Sequence, residues 1–565
     1  MIATARIGSL IALLAAILLP VVAWASPVAE SARGMVVTAH RGASEVGRAI
    51  LAAGGNAVDA AVAVGYALAV VDPCCGNIGG GGFMLIRLAD GNRTFINFRE
   101  KAPLAAHRDM YLDAAGEVRR EASLRGYLAA GVPGTVMGLD RALRAYGRLG
   151  RAAVMAPAIA LARAGFVLGE ADAAIIASRA QRLARDPEAA RIFLRADGTP
   201  HQAGDRLVQR DLAASLALIA EQGPDAFYRG PIAAAVAVAS AAGGGVLTKE
   251  DFAAYTTAEA APVGCDYRGY RVYSAPPPSA GGTVLCEMLQ VFAGWDLGGL
   301  GYRSPQSIHL MTETMRHAYV DRNTAFGDPE FVPDPRQRLL SQRYAAALRA
   351  ALDPNKATPS AMLGPGTPPH EPAETTHYSV ADGEGNAVAV TYTLNGNFGS
   401  GVVAPGTGFL LNNEMDDFTV KPGASNLFGL VQGSANAIAP GKRPLSSMTP
   451  TIVEKDGRPA LVLGSPGGPR IITAVLETMT NIVDFGLMPP EAVAAPRFHH
   501  QWLPDVLYYE RDGFAPETLA ALAERGHRLR EQAPWGAVEL IAIAPDGRLL
   551  GVNDPRRPAG AAIGN

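Results

Sequence analysis

Several features that mark common classes of protein are scarce in this sequence. The chain has four cysteines in 565 residues, which is too few for a disulfide-built scaffold, and none of them has metal-ligand spacing. Its 50 lysines and arginines nearly balance its 53 aspartates and glutamates without any block of like charge, so no nucleic-acid partner is expected. The 63 glycines follow no Gly-X-Y period, which excludes collagen.

The composition that remains is typical of a folded protein. Hydrophobic residues make up 48% of the chain and charged residues 18%, which argues against wholesale disorder. At roughly 100 to 200 residues per domain, the length allows two to four domain-sized units or one large layered structure. The chain is therefore long enough to bury a large hydrophobic core.

The one long apolar run lies at the N-terminus. Arg6 precedes the apolar residues 7–22, and Ala23-Trp24-Ala25 has the small-x-small pattern that signal peptidase recognises. We expect residues 1–25 to be a signal peptide and the mature protein to be exported, to the periplasm of a bacterium or outside the cell. The alternative is an uncleaved anchor, but the run is short for a membrane span and Pro20 interrupts it.

The redox state of the four cysteines stays open. An oxidising compartment permits disulfides, but the sequence does not choose the pairing among Cys74, Cys75, Cys265 and Cys286. Cys74 and Cys75 are adjacent, which argues against ordinary bridge geometry between them.

Hydrophobic periodicity predicts two sets of elements separated by a linker. Helices are predicted at residues 44–53, 57–70, 151–164, 209–222, 230–242, 307–323, 471–485 and 516–525. Strands are predicted at residues 83–88, 94–98, 376–381, 387–394, 408–411, 451–454 and 460–463. This order predicts an α+β protein with two sheets between helical layers, rather than a doubly wound sheet.

A hydroxyl residue stands where the linker ends. Residues 353–374 are rich in proline and polar side chains, and Thr375 follows directly, before a predicted strand. If the chain were cut before Thr375, the hydroxyl and a new α-amine would share one residue, and an amine with a pKa of about 8 serves as a base. The alternative is an ordinary threonine-rich strand.

A glycine turn near the C-terminus offers backbone donors. In Gly464-Ser465-Pro466-Gly467-Gly468-Pro469, a strand ends in a turn and a helix follows, which presents N–H groups at a positive helix terminus. This geometry suits an oxyanion hole, although such turns also occur for packing reasons. The turn lacks the lysine of a phosphate loop and is not a Gly-x-Ser-x-Gly elbow.

Two polar clusters and one histidine pair complete the candidates. A guanidinium and two hydroxyls that could hold a carboxylate come from Arg99, Ser446 and Ser447. Acidic groups that could hold an ammonium come from Glu414, Asp416 and Asp417. Taken alone, each cluster is better explained as a solvated turn. The adjacent His499 and His500 are interpreted as structural, since neighbours in a strand point to opposite faces.

Taken together, these segments carry a family resemblance that extends over residues 34–554. The matching motifs are GGNAVDAAVAVGYALAVVDP, GNIGGGGFMLI, INFRE, VPGTVMG, DYRGYRVYSAPPPSAGG, TTHYSV, LLNNEMDDF, KRPLSSMTPTIV, GSPGGPRIIT and APRFHHQWLPD. They resemble those of the γ-glutamyltransferase (γ-glutamyltranspeptidase) family of N-terminal-nucleophile hydrolases. The resemblance implies a four-layer αββα sandwich formed jointly by two subunits cut from one precursor.

The resemblance also implies how the precursor matures. Cleavage is expected between Glu374 and Thr375, by attack of the Thr375 hydroxyl on the preceding carbonyl. The expected products are a large subunit, residues 26–374, and a small catalytic subunit, residues 375–565, which remain together as a heterodimer.

The site residues are carried over from the matching motifs. Thr375 is the expected nucleophile, Thr393 is expected to hydrogen-bond to it, and Gly467 and Gly468 are expected to supply oxyanion-hole amides. The residues expected to hold the α-carboxylate of the substrate are Arg99, Ser446 and Ser447. Those expected to hold its α-ammonium are Asn395, Glu414 and Asp417.

The implied reaction is transfer of a γ-glutamyl group from glutathione or a related amide to water, an amino acid or a dipeptide, without a metal or an organic cofactor. Two positions differ from some bacterial members, which carry Gln in place of Glu414 and a lid tyrosine in place of Phe428, within residues 422–434. Two alternatives stay open: a relative acting on another acyl group, such as a glutaryl β-lactam or poly-γ-glutamate, and a catalytically silent binding protein.

Overall fold

The computed structural model describes residues 28–364 and 375–565 of the chain. The predicted signal peptide and Glu374, on the far side of the expected cleavage point, lie outside these ranges. Within the two ranges, no helix has both the length and the apolar character that a membrane crossing requires.

Two seven-stranded antiparallel sheets form the centre of the described structure. The strands are β1 (Val28–Ser31), β2 (Gly34–Thr38), β3 (Gly81–Arg87), β4 (Arg93–Phe98), β5 (Phe166–Val167), β6 (Arg206–Leu207), β7 (Ala258–Ala260), β8 (Val263–Tyr267), β9 (Tyr270–Ser274), β10 (Thr376–Asp382), β11 (Ala387–Thr393), β12 (Thr451–Lys455), β13 (Arg458–Leu463), β14 (Phe498–His499), β15 (Leu507–Glu510), β16 (Leu529–Gln532), β17 (Leu540–Ile543), β18 (Leu549–Val552) and β19 (Ala561–Gly564). The first sheet has the order β1-β18-β17-β13-β12-β9-β8 and the second has the order β19-β2-β10-β11-β3-β4-β7.

Helices cover the outer faces of both sheets. They are α1 (Arg41–Ala52), α2 (Ala57–Val71), α3 (Thr135–Tyr146), α4 (Arg151–Ala164), α5 (Glu170–Leu183), α6 (Pro187–Phe193), α7 (Arg210–Gln222), α8 (Asp225–Tyr228), α9 (Pro231–Ala242), α10 (Lys249–Ala253), α11 (Gly281–Phe292), α12 (Leu297–Leu300), α13 (Pro305–Ala325), α14 (Arg336–Leu339), α15 (Gln342–Ala351), α16 (Arg470–Val483), α17 (Pro489–Ala494) and α18 (Pro516–Glu524). Helices α1 to α3 contact the second sheet and α11 contacts the first, while α4 packs on α2, and α13 and α16 pack on α11. The predicted four-layer αββα sandwich is confirmed.

The layers follow from the alternation of side chains along each strand. In β10, Tyr378 and Val380 face the helical layer that contains the fully buried α2, whereas Ala381 faces the other sheet. Small and medium apolar side chains such as Val37 and Ile541 fill the space between the sheets. Residues of the expected nucleophile strand are therefore covered on both faces.

The helices predicted from periodicity are all present, with ends that differ by a few residues. The strand predicted at residues 408–411 is wrong. Gly406 and Gly408 have φ of 77° and 74°, a left-handed conformation that interrupts an extended strand, and only a single bridge joins Val403 to Leu410.

The cysteines form two disulfides, Cys74–Cys75 with an S–S distance of 2.10 Å and Cys265–Cys286 with 2.05 Å. The argument against a bridge between the adjacent pair is therefore wrong. Asp72 lies close to Cys74 and Cys75, but both sulfurs are committed to the disulfide, so this group does not offer the thiolates that a metal ion would need.

The two adjacent histidines are buried and hydrogen-bonded to neighbouring protein groups. The His499 ring contacts Thr473 Oγ1 at 2.9 Å and Gln501 Oε1 at 2.9 Å, while His500 Nε2 lies 3.3 Å from Asp505 Oδ1. These contacts agree with the structural interpretation of the pair.

Candidate active site

The start of β10 and the end of β11 bring two threonines together. Thr376 pairs with Tyr392 in an antiparallel register, and continuing that register by one step places Thr375 opposite Thr393. Directly opposed residues in antiparallel strands have Cα atoms about 4.5 to 5.5 Å apart. The expected nucleophile and its expected partner therefore face each other, and both line one small cavity.

Nearly all the site residues expected from the sequence meet at this cavity. Those that line it are Arg99, Thr375, Thr393, Asn395, Glu414, Asp417, Ser446, Ser447 and Gly468. Gly467 is the preceding residue in the turn and does not itself line the cavity. The additional lining residues are Arg322, Phe428, Leu430, Met448, Pro469 and Ile471.

A run of glycines lets the strand β3 approach the threonines closely. A Cβ atom on Gly80 would lie 1.9 Å from the Thr393 carbonyl oxygen, and one on Gly82 would lie 2.3 Å from that of Thr391. Neither distance is sterically possible, so any other residue would push β3 away from β11. The GGGG motif thus fixes the backbone that carries Thr393.

The second glycine turn lies where α16 begins. Gly467 and Gly468 have φ of 133° and 54°, a left-handed region that favours glycine. The carbonyls of these two residues accept hydrogen bonds from the N–H groups of Arg470 and Ile471, in the first turn of α16. The turn therefore stands at the positive end of the helix dipole, where negative charge is stabilised.

Arg99 is the electrostatic centre of the cavity. Its side chain is fully buried, with Nη1 2.5 Å from Glu414 Oε1 and Nη2 2.5 Å from Asp417 Oδ2. From the sequence, Arg99 was expected to hold the α-carboxylate of the substrate, and Glu414 and Asp417 its α-ammonium. In the structure, the arginine contacts both acids. Burial raises the pKa of Glu414 well above its ordinary value and that of neighbouring Glu100 to about 7; the Arg99 guanidinium lowers both pKa values, and the other carboxyl groups nearby raise them.

Arg322, near the end of α13, also lines the cavity and was not expected from the sequence. This fully buried side chain donates from Nε to Ser447 Oγ at 2.9 Å and from Nη1 to Asn323 Oδ1 at 2.9 Å. Burial lowers its pKa to about 10. Arg322 therefore brings a second positive charge to the serine pair, and a charged residue inside an otherwise buried helix is the signal that could have revealed it.

Asp416 does not line the cavity, although the sequence grouped it with the ammonium-binding acids. It accepts hydrogen bonds from Ser123 Oγ at 2.7 Å and from the Leu427 N–H at 2.7 Å. Leu427 belongs to the expected lid, residues 422–434, whose Phe428 packs against the backbone of Gly468. Burial raises the pKa of Asp416 to about 7. Asp416 thus fastens the lid rather than contacting the cavity.

Two side chains form hydrogen bonds with the start of β10. Arg557, close to the C-terminus, donates from Nη2 to the Thr375 carbonyl at 3.5 Å, and Thr376 Oγ1 donates to Asp72 Oδ2 at 3.2 Å. The start of β10 is therefore held by residues from distant parts of the sequence.

Comparisons with known proteins agree with this geometry. The family model described as gamma-glutamyltranspeptidase matches residues 43–564. The chain is 52% identical to the glutathione hydrolase proenzyme of Pseudomonas sp. (strain A14), covering 94% of each chain. It is 50% identical to the glutathione hydrolase proenzyme of Escherichia coli (strain K12), over 93% of this chain and 90% of that one.

A solved structure shares the fold over nearly the whole chain. The crystal structure of cephalosporin acylase from Bacillus halodurans superposes with a TM-score of 0.85 at 30% identity, covering 95% of this chain and 97% of that one. The family match spans both the cavity and the layers that build it. The chain therefore belongs to the γ-glutamyltranspeptidase family.

Proposed function

We propose that this protein is a glutathione hydrolase and γ-glutamyltransferase that matures by cutting its own chain between Glu374 and Thr375. The observation that carries the proposal is the meeting, at one small cavity, of Thr375 with buried charges of both signs. A γ-glutamyl donor presents a zwitterion at one end and an amide at the other, so it needs this combination of groups.

Maturation uses the same hydroxyl as catalysis. Thr375 Oγ1 attacks the carbonyl carbon of Glu374, and the peptide C–N bond breaks, which leaves an ester and a free α-amine on Thr375. Water then hydrolyses the ester. The products are the large subunit, residues 26–374 once the signal peptide has been removed, and the small subunit, residues 375–565.

The freed α-amine then supplies the base that a threonine hydroxyl lacks. It takes the proton of Thr375 Oγ1 as this oxygen attacks the γ-carbonyl of the donor, and the amides of Gly467 and Gly468 stabilise the oxyanion. The proton passes to the departing amine, which leaves a γ-glutamyl ester on Thr375. Water releases glutamate from this ester, or an amino acid or dipeptide amine takes the acyl group.

Substrate recognition rearranges an existing ion-pair cluster. We assign the α-carboxylate to Arg99, Ser446 and Ser447, with Arg322 behind Ser447. We assign the α-ammonium to the carboxylates of Glu414 and Asp417, together with Asn395. A zwitterion adds one charge of each sign, so it can separate Arg99 from its acids without leaving a net buried charge.

A second candidate is hydrolysis of a glutaryl amide, because the fold matches that of a cephalosporin acylase. A glutaryl group has no ammonium, so it would leave Glu414 and Asp417 without a cationic partner from the substrate. Comparing γ-glutamyl and glutaryl anilides as donors decides between the two. We also propose that residues 1–25 direct export, which N-terminal sequencing of the large subunit tests.

The nucleophile is tested by Thr375→Ala. The variant should remain one uncut chain and release no p-nitroaniline from γ-glutamyl-p-nitroanilide, because the only proposed nucleophile is gone. The wild-type protein should give two bands on a denaturing gel, with Thr375 as a new N-terminus. Thr375→Ser is the matched control, since it keeps a hydroxyl and should still be cut. Cleavage of the alanine variant at the same bond would assign the nucleophile elsewhere.

A further inference from the structure

The loop that carries Asn395, residues 394–398, has an unusual backbone conformation. Asn395 and Phe398 have φ of 75° and 62°, in the left-handed region that residues other than glycine seldom occupy. This conformation is costly for a bulky residue such as Phe398, so it persists only where surrounding contacts impose it. The loop therefore depends on support from other parts of the chain.

Part of that support comes from the turn that contains the Cys74–Cys75 disulfide. The Leu394 N–H donates to the Cys75 carbonyl at 3.1 Å, and the Phe398 N–H donates to the Cys74 carbonyl at 2.8 Å. These two hydrogen bonds hold the two ends of the loop, and Asn395 lies between them. The backbone of the two cysteines is therefore the frame on which the left-handed residues are held.

The disulfide constrains that frame directly. In an extended chain, successive carbonyls point to opposite sides, whereas here two successive carbonyls face the same loop. The chain turns at this point, and the Cys75 N–H donates to the Asp72 carbonyl at 3.2 Å. The bridge closes a small ring that includes the peptide unit between the two cysteines, which preorganises the turn.

The position of this bridge in the sequence argues against a role in overall stability. A disulfide stabilises mainly by restricting the unfolded chain, and the restriction grows with the number of residues that it encloses. Cys74 and Cys75 are adjacent, whereas Cys265 and Cys286 are separated by 21 positions and join β8 to α11. The Cys74–Cys75 bridge therefore restrains little beyond its own turn.

The supported loop presents one side chain to the active site. Asn395 lines the cavity, and its N–H donates to Thr393 Oγ1 at 2.8 Å. Its Nδ2 donates to the Asn413 carbonyl at 3.0 Å. Because the amide nitrogen is committed in this way, the amide oxygen is the atom suited to accept a hydrogen bond from an ammonium group.

We propose that the Cys74–Cys75 disulfide positions Asn395 to bind the α-ammonium of the γ-glutamyl donor. This inference rests on the proposed function, which assigns the α-ammonium to Asn395 and two acids. Both cysteines are buried, and neither is among the described residues that line the cavity. They are therefore positioning residues, which act on the substrate through the loop.

The test removes the bridge with Cys74→Ala/Cys75→Ala. The KM for γ-glutamyl-p-nitroanilide should rise about fivefold, the effect of weakening one hydrogen bond to a charged group. The kcat should change less than about twofold, because Thr375 and the glycine turn are retained.

A double-mutant cycle with Asn395→Ala separates positioning from a general effect on the fold. If the bridge acts through the Asn395 side chain, removing the bridge from the Asn395→Ala protein should raise the KM by less than about twofold. Equal rises with and without the Asn395 side chain would overturn the inference, as would an unchanged KM when the bridge alone is removed.

The second disulfide supplies a matched control. Cys265→Ala/Cys286→Ala should lower the midpoint of thermal unfolding more than Cys74→Ala/Cys75→Ala does, because its bridge encloses more of the chain. The KM of this control should stay within about twofold of that of the wild type. An equal rise of the KM in both variants would overturn the inference.

Two further measurements complete the test. Cys74 and Cys75 of the unreduced, denatured wild type should resist alkylation, and their alkylation without prior reduction would overturn the inference. Cys74→Ser/Cys75→Ser repeats the kinetic test if the alanine variant fails to fold. If neither variant folds while the control does, the bridge is a requirement of folding and the inference is wrong.

Failure of this inference is distinguishable from failure of the proposed function. A wild-type protein that releases no p-nitroaniline would overturn the proposed function and, with it, the role of Asn395. An active wild type whose KM does not depend on the bridge would overturn the inference alone.

Discussion

The hydroxyl of Ser447 is oriented from inside the protein. Arg322 donates to Ser447 Oγ, so one lone pair of that oxygen is already occupied, and the serine proton is directed elsewhere. A carboxylate in the cavity would accept that proton. The arginine thus sets the direction of a hydrogen bond that it does not itself make with the substrate.

Replacing Arg322 should weaken binding of the α-carboxylate. We expect Arg322→Met to raise the KM for γ-glutamyl-p-nitroanilide about tenfold, the effect of losing a charge-assisted hydrogen bond. Arg322→Lys should recover part of the loss, since it keeps the charge without the planar fork. The 4-aminobutanoyl anilide, which lacks the α-carboxylate, is the control donor. If its KM rises equally, Arg322 acts on the fold rather than on carboxylate binding.

At the scale of single residues, the sequence identified most of the residues that line the cavity but not the contacts that they make. The family motifs identified Thr375 and Thr393, whose roles stay predictions, and the structure places both at one cavity. The contact of Arg322 with Ser447 could not be found from local pattern, because it joins residues 125 positions apart. Asp416 was misplaced, since adjacent acids in one turn point in different directions.

The expected lid, residues 422–434, is attached through a buried carboxyl group. Its backbone at Leu427 is bound to the buried carboxyl group of Asp416, whose pKa is raised to about 7 from an ordinary 3.8. Between these values, the folded protein holds a proton that the unfolded chain has released. The free energy of unfolding contributed by this group is therefore highest below the lower value and falls as pH rises through the upper one.

Asp416→Asn removes this titration. From pH 4 to pH 7, the free energy of unfolding of the wild type should fall relative to that of the variant, by at most about 1.4 kcal/mol per pH unit. Chemical denaturation at several pH values measures the difference. The exposed replacement Asp109→Asn is the control and should give a curve parallel to that of the wild type. A parallel curve for Asp416→Asn as well would show that this carboxyl group titrates near its ordinary value.

Helices with a clear periodic spacing of apolar residues could be predicted from the sequence. The helix predicted at residues 151–164 has those bounds in the structure as α4, because its apolar positions and flanking glycines are local signals. Residues 408–411 looked like a strand by composition alone. Their conformation is set by Gly408, whose Cβ position lies 2.1 Å from the Leu212 backbone nitrogen, a contact with a distant helix.

The two expected subunits alternate within the sheets. In the second sheet, β10 and β11 from the small subunit lie between β2 and β3 from the large one, and β19 pairs with the other edge of β2. Backbone hydrogen bonds therefore join the two expected subunits across the middle of the second sheet. This arrangement was not visible in the sequence, because strand order is set by contacts between distant segments.

Cleavage should therefore leave the two expected subunits bound to each other. We expect the two chains to co-elute in size-exclusion chromatography and to separate in urea only as the far-ultraviolet circular dichroism is lost, since separation breaks the ladders of both sheets. Uncut Thr375→Ala is the reference for the unfolding curve. Separation of the chains while the dichroism stays native would contradict the interleaved arrangement.

The alternation of the two expected subunits within the sheets indicates that folding precedes the proposed cleavage. Halves synthesised separately would expose unpaired strand edges where β10 and β11 belong, and such edges promote aggregation. The proposed cut before Thr375 is therefore expected inside an already assembled sandwich, so that activity would begin only once folding is complete.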